Sequence, residues 1–151
     1  MLIGLLVGCK DGGRKNTSTA IDLHGPHGGH MAEMSEGAGF EMEFTLDERR
    51  RRMVIYVLEL GFTKPYPLAT DALSGKFKFD GRSIDVTFAA DARPTDPKGH
   101  ASRFALALDS LPQQMLVAEQ FVLKLSYAAA GETFTGSIPH RNDHAHRYHH
   151  D

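Results

Sequence analysis

The sequence predicts an all-β fold, an antiparallel β-sandwich of immunoglobulin-like or similar type with about seven or eight strands. Three observations predict it. From residue 40 onward apolar residues recur with a period of two, the period of a strand with one face buried. Turn-forming pairs and prolines divide these runs at short, regular intervals, as in sandwiches and small barrels. No stretch carries a convincing 3.6-residue period, and only Leu111–Gln120 has room for a short helical turn.

Taken in order, His30–Met34 reads as a strand hairpinned to Phe40–Leu46, where Phe40, Met42, Phe44 and Leu46 alternate with Glu41, Glu43 and Thr45. Met53–Leu58 is continuously apolar, which suits a central strand buried on both faces. Gly61–Ala69 holds Pro65 and Pro67 and reads as a loop or edge segment. Phe77 and Phe79 alternate with Lys76 and Lys78, and Asp80-Gly81 then supplies a hairpin turn into Ile84, Val86 and Phe88. Asp91–His100 is a loop with two prolines, and Phe104, Leu106 and Leu108 form a strand ended by Leu111-Pro112. Phe121, Leu123, Leu125 and Tyr127 make another strand, Ala128–Gly131 turns the chain, and Thr133–Ile138 is the last strand, with Pro139 as its stop.

Composition narrows the function classes. With 41% hydrophobic residues and a formal net charge of −2, the chain has material for one core and no charge excess to oppose collapse. The same balance argues against a nucleic-acid partner, which requires a basic stripe to replace condensed counterions. Arg49–Arg52 is the one dense basic cluster, and it follows Asp47 and Glu48 between two strands, as a solvated hairpin tip. A single cysteine excludes an internal disulfide and a thiolate-rich zinc site, leaving His, Met and carboxylates as metal ligands. No nucleophile elbow, paired-carboxylate site or HExxH motif is present, so the reading is of a non-enzyme; Glu33, Glu41 and Glu43 read as ordinary strand residues.

Met1–Cys9 is an apolar run closed by Leu6-Val7-Gly8-Cys9, which looks like a bacterial lipobox, although no Lys or Arg precedes it. That implies lipidation of Cys9, a membrane anchor, and a place on the periplasmic side of the cell envelope. Residues 1–9 are then a signal remnant, 10–23 a flexible tether, 24–139 the β-domain with a His/Gly segment at its front, and 140–151 a His-rich tail.

Eight of the nine histidines gather at the two ends. His24, His27 and His30 are spaced three apart in LHGPHGGH, while His140, His144, His146, His149 and His150 crowd the last dozen residues. His100 is an ordinary loop residue. Neutral imidazole is the commonest side-chain ligand for copper, zinc and nickel, so clustered histidines on Gly-rich or polar segments are a metal signal. His144 and His146 alternate and would point the same way on an extended chain. Glycines around His27 let the backbone fold tightly about an ion. Met31, Met34 and Met42 read first as core or hairpin residues, but as thioethers they raise copper above zinc and nickel. With an even strand count, a simple meander would bring His24, His27 and His30 towards His140 and His144, giving one composite site; separate sites are the alternative.

The segment Gly25-Pro26-His27-Gly28-Gly29, followed by His30-Met31-Ala32-Glu33-Met34 and Phe40-Glu41-Met42-Glu43, is similar to the N-terminal region of periplasmic adaptor subunits of heavy-metal efflux pumps. It also resembles small bacterial envelope lipoproteins in which a GPHGG-type segment precedes an all-β domain, and Met53–Leu58 fits the strand that follows there. The resemblance covers about the front third of the chain. It implies an exported protein concerned with metal handling, with a metal-efflux or metal-delivery protein as a candidate partner. No lipoyl or hairpin region of a pump adaptor is present. The expected function is thus metal buffering, scavenging or delivery through the His-rich ends; the alternative is a protein- or glycan-interaction module in which the histidines are incidental.

Overall fold

The computed structural model describes residues 24–141; Cys9, the tether, and His144, His146, His149 and His150 lie outside the described residues. Nine strands run in chain order as β1 (His30–Met31), β2 (Glu33–Met34), β3 (Phe40–Asp47), β4 (Arg52–Glu59), β5 (Ala72–Phe79), β6 (Arg82–Ala90), β7 (Arg103–Ala107), β8 (Gln120–Ala129) and β9 (Glu132–Arg141). Between β7 and β8 lie a 3-10 turn (Leu108–Ser110) and a one-turn helix, α1 (Gln113–Leu116), inside the stretch predicted to hold one. Every strand pairing is antiparallel, so the all-β antiparallel prediction holds.

The strands form one sheet in the order β1-β3-β4-β7-β6-β5-β8-β9-β2. Strands β5, β6 and β7 form a meander and β8 returns beside β5, the order of a Greek key. At the β5–β6 turn, Asp80 and Gly81 take φ of 46° and 72°, the two left-handed residues that a tight hairpin between twisted strands requires. The two ends of the sheet, β1 and β2, are separated in the chain by Ala32 alone. His30 and Met31 pair with Phe44 and Glu43 of β3, whereas Glu33 and Met34 pair with Ser137 and Gly136 of β9. Residues 30–34 therefore act as one short strand divided between two neighbours, and the sheet is nearly closed, like a barrel. The expected hairpin with Phe40–Leu46 forms over its first half only; the second half crosses to β9.

Alternation fixes which side chains enter the interior. Phe40, Met42 and Phe44 of β3 are buried with Met53, Ile55 and Val57 of β4, Leu73, Phe77 and Phe79 of β5, and Phe88, Phe104, Phe121, Leu123, Leu125 and Ile138. Fully burying such side chains stabilises the fold by about 1.5–3 kcal/mol each. Strand β4 is covered on both faces as its apolar run predicts, since Val54 and Leu58 are buried on the opposite side, and the following loop bridges back to Leu58 through Pro65. The Arg49–Arg52 run is a hairpin tip supplied with carboxylates: Arg52 reaches Asp91 at 2.9 Å, and Arg51 reaches Asp109 at 2.8 Å.

One boundary differs from the sequence prediction in a way that matters. Pro139 does not end the last strand; β9 continues to Arg141, with Pro139 opposite Val122 and His140 opposite Phe121. The pairing of β2 with β9 reaches only as far as Ser137, and Pro139 lies beyond it, where a residue without an N–H is tolerated. His140 thus belongs to the sheet rather than to the tail.

The closing strand fits because β9 offers it a glycine. A Cβ at Gly136 would lie 3.0 Å from Met34 Sδ and 3.2 Å from Ala32 Cβ. Gly136→Leu is expected to push β2 off β9, costing about 1–3 kcal/mol as overpacking does. Amide exchange should accelerate at residues 30–35 while β5 and β6 stay protected; uniform behaviour along the chain would contradict this role for the seam.

Candidate functional site

The candidate site lies at the end of the sheet where the closing strand begins. Residues 24–30 make a tight loop whose base is an isolated antiparallel bridge between His24 and His30. Within it, the Gly25 N–H donates to the Gly29 carbonyl and the Gly28 N–H to the Gly25 carbonyl, both at 3.0 Å, and Gly28 sits at φ +77°. Gly25 and Gly29 have no room for a side chain: a Cβ on the first would collide with the Glu43 carboxyl, and on the second with the Phe44 carbonyl. The glycines do let the backbone fold tightly, but around a carboxylate.

That carboxylate is Glu43, on the outer face of β3 and fully buried beneath the loop. Its Oε1 accepts the backbone N–H groups of His27 (2.9 Å) and Gly29 (2.8 Å), and its Oε2 lies 2.6 Å from His27 Nδ1. A carboxylate only accepts, so the imidazole proton sits on Nδ1. The His27 ring stacks on Tyr56, with centroids 3.7 Å apart and planes at 8°. Its other nitrogen, Nε2, is 3.5 Å from Nη2 of Arg93, whose guanidinium also lies 5.5 Å from the centre of the Tyr56 ring. A carboxylate behind an imidazole is the arrangement that orients histidine ligands to metals. Here, however, the exposed nitrogen faces a fixed positive charge. His27 holds the loop.

Arg93 is itself braced. Asp96 accepts its backbone N–H at 2.8 Å and takes both the N–H (2.9 Å) and the hydroxyl (2.8 Å) of buried Ser102. Burial pushes the Asp96 carboxyl up, but the hydrogen bonds from Ser102 and Arg93, aided by the Arg93 charge, outweigh it and hold the group below its ordinary 3.8.

The remaining histidines of the described residues at this end come together. The His24 and His30 rings have centroids 5.5 Å apart, and those of His30 and His140 are 5.2 Å apart. The register explains the second contact: continuing the β2–β9 pairing back from Glu33 and Ser137 sets His30 opposite His140. His30 shares its face with Phe44 and His140 with Phe121, both core residues, so the two imidazoles cap the interior. His140 packs 4.8 Å from Phe121 and 5.8 Å from Phe44. An open cleft of about 740 Å³ between the β5–β6 hairpin and the ends of β8 and β9 has His140, Phe121 and Arg141 in its wall. As the rings stand, no group of three or more His, Cys, Asp or Glu side chains among the described residues is arranged to hold a metal ion.

Placement also changes the list of donors. Met42 is in the core and Met34 packs against it, so neither thioether faces the histidines' solvent side. Glu43 is the residue that sequence reasoning missed. Alternation correctly puts it on the outer face of β3, but the burying loop carries no apolar residue to announce a covering element.

Glu43→Ala removes the acceptor for two backbone N–H groups and an imidazole, so a loss of about 2–4 kcal/mol is expected in urea unfolding. Glu43→Gln, which retains a carbonyl acceptor, should lose less. Asp96 contributes stability above its ordinary pKa, and this contribution is lost as pH falls through its lowered folded-state value. The Ser102 amide resonance should accordingly titrate with a midpoint below 3.8. A midpoint at or above that value would contradict the brace.

A 67-residue stretch, 43% of this chain, is 40% identical to part of trigger factor from Aeromonas hydrophila subsp. hydrophila, and covers 15% of that protein's length. No family model matches the chain, and no solved structure matches it.

Proposed function

We propose that the chain is a lipid-anchored protein of the bacterial cell envelope that binds a transition-metal ion, and that it buffers, scavenges or delivers copper, zinc or nickel without a catalytic step. The observation that supports this most is the meeting of the front histidines with His140 of the last strand. His24 and His30 come from the front segment and His140 from the last strand, yet their rings lie within 5.5 Å of one another in sequence order, His24 to His30 and His30 (5.2 Å) to His140. The lipobox-like Leu6-Val7-Gly8-Cys9 and the likeness to efflux-adaptor N-terminal regions support the location. With Met34 and Met42 committed to packing, the ion would be held by imidazoles rather than thioethers, which suits Cu²⁺, Zn²⁺ and Ni²⁺, with Cu²⁺ the tightest-binding of the three. A metal-efflux or metal-delivery protein is the natural recipient of such an ion.

Calorimetric titration of the full chain with Cu²⁺, Zn²⁺ and Ni²⁺, with stoichiometry read by native mass spectrometry, tests the reading. At least one of these ions is expected to bind more tightly than about 1 μM, or roughly −8 kcal/mol. Weaker binding of all three would move the assignment to a protein- or glycan-interaction module.

A further inference from the structure

We propose that His24, His30 and His140 are the ligands of a single three-imidazole site for a divalent first-row ion such as Zn²⁺, and that the bound ion locks the seam of the sheet. The inference rests on the metal-binding reading and names its site. Three neutral imidazoles with an open position are a recurrent zinc arrangement. Two imidazoles on one tetrahedral ion, with metal–nitrogen bonds of about 2.0–2.1 Å, hold their ring centroids about 5 Å apart. The His24–His30 and His30–His140 separations, 5.5 Å and 5.2 Å, match that spacing and place His30 between the other two. What differs is ring orientation, with planes at 41° and 76°, so loading requires the rings to turn about χ2 and exchange their present contacts for the ion. The α-carbons, which rotation does not move, are held by the His24–His30 bridge, the His30–Phe44 pairing and the His140–Phe121 pairing.

Two features separate this set from the other histidines. His27 is fixed by Glu43 and Tyr56, with Nε2 facing the Arg93 guanidinium at 3.5 Å, a position that repels a cation. His100 lies on an exposed loop with Nδ1 at 3.2 Å from the Lys98 carbonyl. The cleft beside His140 gives an ion a route from solvent. The coupling to the fold follows from the seam. His30 begins the closing strand and His140 belongs to β9, and residues 30–34 are shared between β3 and β9. An ion bridging His30 and His140 binds only the closed sheet, so loading favours closure by mass action.

The test uses the full chain in which His144, His146, His149 and His150 are each changed to Ala, so that the tail offers no imidazole. This chain is expected to hold one equivalent of Zn²⁺. Adding His30→Gln or His140→Gln should weaken binding at least about tenfold, a typical loss for a damaged metal site, whereas His100→Gln should not change it. If either of the first two leaves affinity within about twofold, the three-histidine site is overturned. Loss of all binding from the tail substitutions alone also overturns it, while leaving the metal reading intact. Absence of binding in the unsubstituted chain removes both. Because a substituted chain can misfold, amide exchange of the unsubstituted chain gives an independent readout. One equivalent of Zn²⁺ should slow exchange at residues 30–34 at least about tenfold, and unchanged exchange there would overturn the seam lock.

Discussion

The structure depends on how five residues divide their hydrogen bonds. His30 and Met31 pair with β3, Glu33 and Met34 pair with β9, and Ala32 between them donates its N–H to the Met42 carbonyl at 2.8 Å. Without that division the sheet would be an open sheet with β3 and β9 as unpaired edges. Exposed edges invite pairing with other chains, and natural β-proteins cover or close them. Here closure also brings the front of the described chain against its end. The histidine cluster is a product of closure, because His30 and His140 meet only if the β2–β9 register is kept.

The loop that precedes the closing strand explains why the strand starts where it does. Gly25, Gly28 and Gly29 wrap the backbone so tightly that a carboxylate on the outer wall takes the place of the bound anion or ion that such a loop suggests. Glu43 satisfies two backbone donors that burial would otherwise leave unpaired, and it sets the His27 tautomer. Tyr56 and Arg93 then hold the ring from the sides. The division of labour among the front histidines follows from this. His27 anchors the loop, and at its base His24 packs on His30, whose ring meets His140 of β9.

Much of this was legible in the sequence. The period of two located β3 and β5 through β9, the apolar run Met53–Leu58 marked a strand covered on both faces, and Asp80-Gly81 marked the β5–β6 turn. Two things were not legible. A proline reads as a stop wherever it follows a strand, and only the register of β9 shows that Pro139 sits beyond its pairing with β2. Glu43 in an alternating strand reads as a solvated residue, because its burial comes from a glycine loop rather than from an apolar partner. The grouping of histidines at both ends was visible from spacing alone, but the particular set, with His27 apart and His140 inside the sheet, required the register.

Which imidazoles take the ion is the central question. Long-range ¹H–¹⁵N spectra of the histidine rings, recorded on the full chain before and after one equivalent of Zn²⁺, report this directly. The prediction is that the ring nitrogens of His24, His30 and His140 shift together to metal-bound positions while those of His27 stay in place. Shifts confined to His144, His146, His149 and His150, with His30 and His140 unmoved, would contradict it.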